Sequence, residues 1–254
     1  MKAVIFDLDN TLFDHTGSAA AAVQAWIPQL GGTPSDALLA EWFAIEDRVY
    51  PRWIAGELTH QGQRRARLHE FLPLLDYPVP ATEPEQDEFF AGYLELYKAN
   101  WSAYPDARPA LEVARSNDWR VGILTNGSTV QQNAKLEVIG LADLVDVVCT
   151  TESLGVSKPD PQSYLRTCAH LGVTPAETLM IGDNLDLDVL GAQAAGLTAR
   201  HLNRPAGHLL TDLLPRVWQQ YDELADDLSP RTDEDWPTDR ELIDHEVVAT
   251  EEDK

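Results

Sequence analysis

The stretch AVIFDLDNTL, residues 3–12, decides how the rest of this chain is interpreted. It opens with a short apolar run, residues 3–6, whose composition is typical of a strand buried on both faces of a parallel sheet. Asp7 and Asp9 follow this run, separated by Leu8. Because open parallel sheets bind ligands beyond the carboxyl ends of their strands, we expect both carboxylates to face one site.

Two carboxylates at this spacing suit phosphoryl transfer. One can act as a nucleophile and carry the phosphoryl group covalently. The other can first protonate the leaving oxygen and later activate the water that releases phosphate. The structural alternative is a turn that caps a helix, a position where Asp, Asn and Thr are common.

Further β-rich runs alternate with helical patterns, which indicates parallel βα units. The predicted strands are Ala3 to Phe6, Val121 to Thr125, Val145 to Cys149, Thr178 to Ile181 and Thr198 to Leu202. Asp160 and Pro161 predict the start of a helix, and Gly172 predicts its end. The main body is therefore predicted to be an α/β core of three layers.

Two later segments carry polar groups that can bind phosphate. Thr125 and Asn126 end a predicted strand and precede Gly127, where the backbone can offer N–H groups to phosphate oxygens. Lys158 lies in a loop stiffened by Pro159 and can neutralise the charge of a transferring phosphoryl group. Each segment alone is weak evidence for phosphate chemistry.

A second acidic cluster follows the predicted strand that ends at Ile181. It contains Asp183, Asp186 and Asp188. Clustered carboxylates are ligands that a hard cation such as Mg²⁺ prefers. The two acidic clusters, at the ends of strands distant in sequence, could share one ion.

In this order and spacing, the four segments resemble the four motifs of the haloacid dehalogenase-like superfamily, over roughly residues 1–205. The resemblance implies an aspartyl-phosphate mechanism with Mg²⁺ as cofactor. The implied roles are Asp7 as nucleophile, Asp9 as general acid/base, Thr125 and the Asn126 backbone as phosphate cradle, and Lys158 as electrostatic stabiliser. The implied metal ligands are Asp7, the backbone carbonyl of Asp9, and Asp183. Asp188 would support the metal or orient Lys158. Asn184 and Asp186 have no assigned role.

The predicted fold class is α/β, with a Rossmann-like three-layer core, a parallel sheet and an inserted α-helical cap domain. The predicted core comprises residues 1–16 and 101–222, the cap residues 17–100, and an acidic C-terminal tail residues 223–254. The inserted segment has no strand-like alternation and is rich in helix-forming residues. The resemblance implies that such a cap closes over the site and selects substrate.

The predicted cap contains one basic cluster, Arg64, Arg65 and Arg67. A guanidinium there could hold a second phosphate or a carboxylate of a substrate, although at helical spacing at least one must face solvent or neighbouring Glu residues. His15, at the junction of core and cap, suits a hinge or surface position better than a substrate contact. The aromatic residues of this segment favour helix packing over substrate contact; they are Trp42, Phe43, Tyr50 and Trp53.

The chain carries a formal charge of −23, with 42 acidic and 19 basic residues, which argues against nucleic acid or an anionic membrane as partner. Much of this charge falls in residues 221–254, with 14 Asp/Glu and 3 Lys/Arg. The two cysteines, Cys149 and Cys168, do not make a disulfide framework. Without a visible secretory signal or membrane-length apolar run, we expect a cytoplasmic protein.

Within this superfamily, Asp9 favours a phosphatase acting on a small phosphorylated metabolite such as a nucleotide, sugar or flavin phosphate. Dehalogenases and phosphonatases usually lack the second acid, because neither protonates an alkoxide leaving group. A β-phosphoglucomutase-like phosphomutase stays open, since mutases share both acids, the helical cap and a Lys-Pro-Asp-Pro segment. A non-catalytic binding protein on the same fold would have lost the nucleophile, a metal acid or the lysine, and all are present here.

Overall fold

The computed structural model describes residues 3–214; the predicted acidic tail at 223–254 lies outside them. One five-stranded parallel sheet forms in the order β3-β2-β1-β4-β5. The strands are β1 (Ala3–Phe6), β2 (Arg120–Thr125), β3 (Val147–Thr150), β4 (Thr178–Gly182) and β5 (Thr198–His201). This sheet and its helices confirm the predicted α/β, Rossmann-like fold class.

Strand β1 occupies the centre of the sheet, and all of its residues are fully buried. Phe6 is in register with Ile123 of β2 and with Ile181 of β4. The backbone N–H of Asp7 donates to the Ile181 carbonyl at 2.9 Å. The carboxyl ends of the three central strands therefore lie side by side, which places Asp7 at the middle of that edge.

The third strand begins at Val147, whereas the sequence predicted a start at Val145. Residues Ala142–Leu144 form a 3-10 helix instead, and Asp146 turns the chain into the sheet. The Asp146 N–H donates to the Val121 carbonyl, and the Asp146 carboxylate accepts from the Val121 N–H, both at 2.8 Å. These two bonds satisfy the backbone polar groups of Val121, at the start of β2, before regular pairing with β3 begins.

Helices cover both faces of the sheet. The core helices are α5 (Ala107–Ser116), α6 (Thr129–Val138), α7 (Thr151–Leu154), α8 (Pro161–Leu171) and α9 (Gly191–Ala194), with a π-helix at Leu185–Leu190. Ile5 and Leu124 pack in one cluster with Tyr164 of α8 and Ala192 of α9. Phe6 points to the other face, because side chains alternate along a strand, and is equally buried.

The predicted boundaries of α8 are confirmed. The Asp160 side chain accepts from the Gln162 N–H at 2.8 Å, and Pro161 occupies the first helical position. Gly172 ends the helix with φ +71°, a left-handed conformation that costs glycine little. The loop before this helix contains a cis peptide bond between Lys158 and Pro159.

The insertion between β1 and β2 is helical, as predicted. It contains α1 (His15–Gln29), α2 (Asp36–Ile54), α3 (His60–Phe71) and α4 (Glu83–Ala99), with a 3-10 helix at Leu72–Leu75. Helix α1 begins before the predicted boundary at residue 17, because the Asp14 side chain caps it by accepting from the Gly17 N–H at 2.8 Å. The division into a core and a cap that closes stays a prediction. Within residues 3–214, no helix combines the length and apolar character needed to cross a membrane.

Trp42 forms the centre of the inserted helices and is fully buried. Its ring lies 4.7 Å from that of Tyr93 and 4.9 Å from that of Phe71, measured between centroids. The Trp26 ring completes the cluster at 5.9 Å. Aromatic packing of this kind adds to the apolar area that the insertion buries, so the packing role predicted for Trp42 agrees with its position.

Candidate active site

A cavity of about 530 Å³ lies at the carboxyl edge of the sheet. Its floor comes from the core and includes Asp7, Asp9 and Lys158, and its opposite wall comes from the inserted helices α2, α3 and α4. Its volume is in the range of small-molecule sites. All seven predicted site residues line this cavity: Asp7, Asp9, Thr125, Asn126, Lys158, Asp183 and Asp188.

Lys158 joins two of the predicted acids. Its Nζ lies 2.6 Å from Oδ1 of Asp7 and 2.6 Å from Oδ1 of Asp188, and all three side chains are buried. The Asn126 side chain fixes the lysine's backbone, since its Oδ1 accepts from the Lys158 N–H at 2.8 Å and its Nδ2 donates to the Lys158 carbonyl at 2.9 Å. Lys158 thus contacts all three other predicted segments, through Asp7, Asn126 and Asp188.

The buried charges in this cluster do not balance. Burial raises the pKa of Asp7 well above its ordinary value; Lys158 opposes this effect, whereas Asp188 and Asp183 add to it. Burial, followed by the charge of Asp188, raises the pKa of Asp183 to about 6. Burial would lower the pKa of Lys158, but the carboxylates of Asp188 and Asp7 raise it above its ordinary value. One lysine therefore faces three carboxylates, and a further cation would relieve their repulsion.

The three carboxylates are arranged to hold that cation. One oxygen from each of Asp7, Asp183 and Asp188 lies within 4.8 Å of the other two. The donors are hard oxygen atoms, which fit Mg²⁺. Asp183 is held in place by the Thr11 hydroxyl, which donates to its Oδ1 at 3.4 Å, and by His201, whose Nε2 lies 2.9 Å from its backbone carbonyl oxygen.

Asn184 and Asp186, which had no predicted role, differ in what they contact. The Asn184 N–H donates to Oδ2 of Asp188 at 3.0 Å, and the Asn184 side chain caps the π-helix by accepting from the Leu187 N–H at 3.0 Å. Asn184 therefore orients Asp188. Asp186 is exposed and does not line the cavity.

Asp9 is held by a different set of residues. Oδ1 accepts from the Lys135 Nζ at 2.5 Å, and Oδ2 accepts from the Gln132 Nε2 at 3.0 Å. Gln132 also donates to the Thr125 hydroxyl at 2.6 Å, and the Lys135 Nζ lies 4.6 Å from the centre of the Phe13 ring. Burial would raise the pKa of Asp9, but the neighbouring Lys135 lowers it below its ordinary value. The prediction that the backbone carbonyl of Asp9 binds the metal stays a prediction.

Sequence reasoning missed Lys135 and Gln132. A signal was present, because the two residues are three positions apart on α6 and so share one face of the helix. That helix follows directly on the loop containing Asn126 and Gly127, so its first turns lie beside the phosphate cradle. Lys135 is 2% exposed. A lysine is rarely this buried unless a carboxylate pairs with it, as Asp9 does here.

The predicted arginine cluster divides into three environments. Arg65 faces away from the cavity and pairs with Asp87 and Glu83. Arg67 also lines the cavity, but it pairs with Glu46 at 2.8 Å and stacks over the Trp42 ring at 4.2 Å. Arg64 lines the cavity and donates to Oε1 of Gln131 at 3.2 Å.

Several other residues of the insertion also line the cavity. The Tyr50 hydroxyl lies 3.4 Å from the Asn126 carbonyl oxygen, and Phe43 and Trp53 lie on the same wall, so these three are not confined to helix packing. His15 also lines the cavity and is not confined to a hinge or the surface; its Nδ1 lies 2.6 Å from the Tyr97 hydroxyl. Its Nε2 lies 3.5 Å from Oε1 of Glu46.

Comparison with known proteins agrees with this geometry. The family model for haloacid dehalogenase-like hydrolases matches residues 1–196. The chain belongs to this family. A ribulose-1,5-bisphosphate 5-phosphatase of Halopiger xanaduensis is 34% identical, with 77% of this chain and 82% of the relative covered. A phosphoglycolate phosphatase of Cereibacter sphaeroides is 30% identical, with 89% and 97% covered.

Among solved structures, a defluorinating L-2-haloacid dehalogenase is 26% identical, with a TM-score of 0.65 and with 82% of this chain and 84% of that chain covered. This chain therefore belongs to a family whose fold is shared by phosphatases and dehalogenases. The relatives in the preceding paragraph confirm the predicted phosphatase branch, and the chain is a phosphoric monoester hydrolase.

Proposed function

We propose that this hydrolase is a Mg²⁺-dependent phosphatase that cleaves small phosphorylated metabolites through an aspartyl-phosphate on Asp7. One observation carries the proposal: Asp7 and Asp9 line the same cavity, but each is paired with its own buried lysine. The two carboxylates therefore have different environments, as a nucleophile and a general acid/base require. The names of the relatives, which specify phosphate esters as substrates, support the same chemistry.

In the first step, an oxygen of Asp7 attacks phosphorus, the bond from phosphorus to the ester oxygen breaks, and Asp9 gives its proton to the departing alkoxide. In the second, water attacks phosphorus, Asp9 takes a proton from that water, and the Asp7 carboxylate is released with inorganic phosphate. Asp9 thus ends the cycle protonated again. A bound phosphate dianion adds negative charge beside Asp9 and favours its protonated form, which opposes the effect of Lys135.

The other site residues position and neutralise charge. Lys158 lies against Asp7 and can accompany the charge of the transferring phosphoryl group. Thr125 and Asn126 line the cavity, and the Thr125 side chain and the Asn126 backbone would bind phosphate oxygens. Asp7, Asp183 and Asp188 would hold Mg²⁺, which when bound supplies positive charge to the phosphate oxygens.

Dehalogenation is the main competing activity on this fold. A carbon–halogen bond releases a halide, which needs no proton, so Asp9 would have no leaving-group oxygen to protonate in that reaction. In a phosphatase, Asp9 protonates the leaving oxygen and Lys135 holds Asp9 in position. Asp9 and Lys135 therefore favour phosphatase chemistry over dehalogenation, and product analysis tests the same chemistry against phosphomutase activity.

The decisive test is phosphate release from p-nitrophenyl phosphate, with Mg²⁺ or EDTA, by wild type, Asp7→Asn and Asp186→Asn. We expect Mg²⁺-dependent release that Asp7→Asn lowers by at least ~10³-fold, because the nucleophile is lost. Asp186→Asn is the matched control, since Asp186 is exposed and outside the cavity. Activity of Asp7→Asn within about tenfold of wild type would rule out the covalent mechanism.

Identification of the products separates the other activities. A panel of sugar, nucleotide and flavin phosphates is incubated with the enzyme, and inorganic phosphate is measured beside the remaining ester. A phosphatase releases one phosphate for each ester consumed. Conversion of a sugar phosphate into its isomer without phosphate release would instead identify a phosphomutase.

A further inference from the structure

Arg64 lies on the wall of the cavity, and no carboxylate within residues 3–214 forms an ion pair with it. Its polar contact in the described part of the chain is with Oε1 of Gln131, a neutral oxygen 3.2 Å from its Nη2. Its guanidinium carbon lies 5.7 Å from the centre of the Phe90 ring. A guanidinium has five N–H donors, so donors of Arg64 remain for another partner.

The neighbouring arginines show that this arrangement is unusual within the insertion. Arg65 is held by Asp87 and Glu83, Arg67 by Glu46, and Arg48 by Glu41 and Glu70. In a chain with 42 acidic and 19 basic residues, a carboxylate partner is the ordinary outcome for an arginine. Arg64 lines the cavity as Arg67 does, but it lacks an ion pair within residues 3–214. Burial, followed by the charge of Arg67, lowers the pKa of Arg64, and the charge of Asp87 opposes this effect.

The surroundings of Arg64 are suited to an anion. His60 lies one helical turn before it on α3 and also lines the cavity. Burial, followed by the charge of Arg64, lowers the pKa of His60 to about 4, so its ring is neutral at pH 7 and available for hydrogen bonds. Asp87 is bound by Arg65 through two hydrogen bonds, so it acts on Arg64 through its charge and not through an ion pair.

The position of Arg64 also relates it to the phosphoryl site. Gln131, which it contacts, directly precedes Gln132, and Gln132 donates to both Asp9 and Thr125. Arg64 and the catalytic acids line the same cavity of about 530 Å³, with Arg64 on the wall that comes from the insertion. A small molecule in this cavity can therefore contact Arg64 as well as the catalytic acids.

We propose that Arg64, with Gln131 and His60 beside it, binds a second anionic group of the substrate. The preferred substrates are then phosphate esters that carry a carboxylate or a second phosphate at the end remote from the scissile bond. A guanidinium recognises either group through charge-assisted hydrogen bonds. This assignment rests on the proposed phosphatase activity and specifies the class of ester that it selects.

The test compares esters that differ only at the remote end. The probes are 3-hydroxypropyl phosphate and 5-hydroxypentyl phosphate, together with the compounds in which a carboxylate or a second phosphate replaces the terminal hydroxyl. We expect wild type to show at least ~10-fold higher kcat/KM for an anionic member than for its hydroxyl counterpart, mainly through KM. The carboxylate and phosphate arms identify which anion is preferred.

Two substitutions of Arg64 and one control locate the effect. Arg64→Gln should abolish the preference for the anionic ester, and Arg64→Lys should retain part of it, since the charge remains but the planar fork is lost. Arg65→Gln should keep the wild-type preference, because Arg65 faces away from the cavity and is bound to Asp87. Thermal unfolding of each variant shows whether it is folded as wild type.

The outcomes separate this inference from the proposed function. Hydrolysis of the hydroxyl esters with no preference at either chain length would overturn the inference and leave the phosphatase intact. Retention of the preference in Arg64→Gln would also overturn it. Absence of hydrolysis of every ester, p-nitrophenyl phosphate included, would overturn the proposed function and this inference with it.

Discussion

Lys135 places its Nζ 2.5 Å from Oδ1 of Asp9, although 126 positions separate the two residues in sequence. The lysine is buried against Phe13 and Tyr97, so its ammonium has little access to water and depends on Asp9 for neutralisation. Asp9 in turn is held by Lys135 and Gln132 in one orientation. The second acid of the opening segment is therefore positioned from helix α6.

Replacing Lys135 should impair catalysis through Asp9. Lys135→Met keeps an unbranched side chain of similar length but removes the charge, so Asp9 loses its orientation. We expect kcat for p-nitrophenyl phosphate to fall by about 10- to 100-fold, part of the 10²- to 10⁴-fold that general acid–base catalysis usually provides. Lys98→Met is the control, because Lys98 is exposed and pairs with Glu95 on the surface of α4. A kcat for Lys135→Met within twofold of wild type would contradict the positioning role.

A methyl group at Gly182 should disturb the acid that orients Lys158. A Cβ built on Gly182 would lie 2.2 Å from Cγ and from Oδ2 of Asp188, closer than real carbon atoms approach. Because Asp188 is 1% exposed, it has little room to move without leaving Lys158. We expect Gly182→Ala to lower kcat/KM by at least ~100-fold, the size of effect that a misplaced charged group can have.

The matched control is Gly92→Ala on α4. A Cβ at Gly92 meets no atom within 4 Å, and alanine is the better helix former. This variant should keep wild-type activity and be equally or more stable to heat. Equal activity of both alanine variants would show that the contact between Gly182 and Asp188 does not matter to catalysis.

Mg²⁺ should stabilise the folded protein through Asp183. Three carboxylates crowd one lysine, so removing one of them relieves repulsion when no metal is present. We expect Asp183→Asn, in EDTA, to unfold at a temperature equal to or above that of wild type. Saturating Mg²⁺ should then raise the Tm of wild type and leave that of the variant nearly unchanged, because a ligand stabilises only the state that binds it.

Differential scanning fluorimetry over a Mg²⁺ titration measures this difference without relying on activity. Ca²⁺ and Na⁺ at the same ionic strength are the controls for general screening of the acidic surface. A rise in Tm that is equal in wild type and in Asp183→Asn would place the metal elsewhere.

Arg67 should matter to stability more than to chemistry. Arg67 is buried, pairs with Glu46 at 2.8 Å and stacks over the Trp42 ring, so Arg67→Ala removes the guanidinium partner of a carboxylate that is only 20% exposed. We expect the free energy of unfolding to fall by about 3 kcal/mol, as for other broken buried pairs. Urea denaturation measures the loss. Arg48→Ala, which breaks exposed pairs with Glu41 and Glu70, should shift the urea midpoint far less.

The same pair predicts a dependence of stability on pH. Burial would raise the pKa of Glu46, but Arg67 and His15 lower it from 4.5 to about 2 in the folded state. Since the folded pKa lies below the unfolded one, the stability that Glu46 contributes is present above pH 4.5 and is lost as the pH falls toward 2. Wild type should therefore exceed Glu46→Gln in urea midpoint at pH 7, and this difference should narrow below pH 4.5. A difference in urea midpoint between wild type and Glu46→Gln that stays constant down to about pH 3 would contradict this dependence of stability on pH.

Sequence alone determined the sheet and most of the polar residues at its carboxyl edge, where the cavity lies. Apolar runs followed by polar residues identified the five strands, and the rule that parallel strands present ligands at their carboxyl ends placed Asp7, Thr125 and Asp183 at one edge. These are local patterns, because strand burial and strand termination depend mainly on neighbouring residues. The start of β3 was misplaced by the same reasoning, since Asp146 pairs with Val121 across the sheet.

Only the tertiary structure decided which side chains meet across that edge. Lys135 reaches Asp9, and Arg64 contacts a neutral glutamine while Arg65 and Arg67 pair with carboxylates, because of how α6 and α3 pack. The sequence shows that these are cations on helices, but the face that each helix presents to the site depends on packing between segments distant in the chain. Long-range packing therefore distinguished one arginine from its neighbours, a distinction that local patterns do not contain.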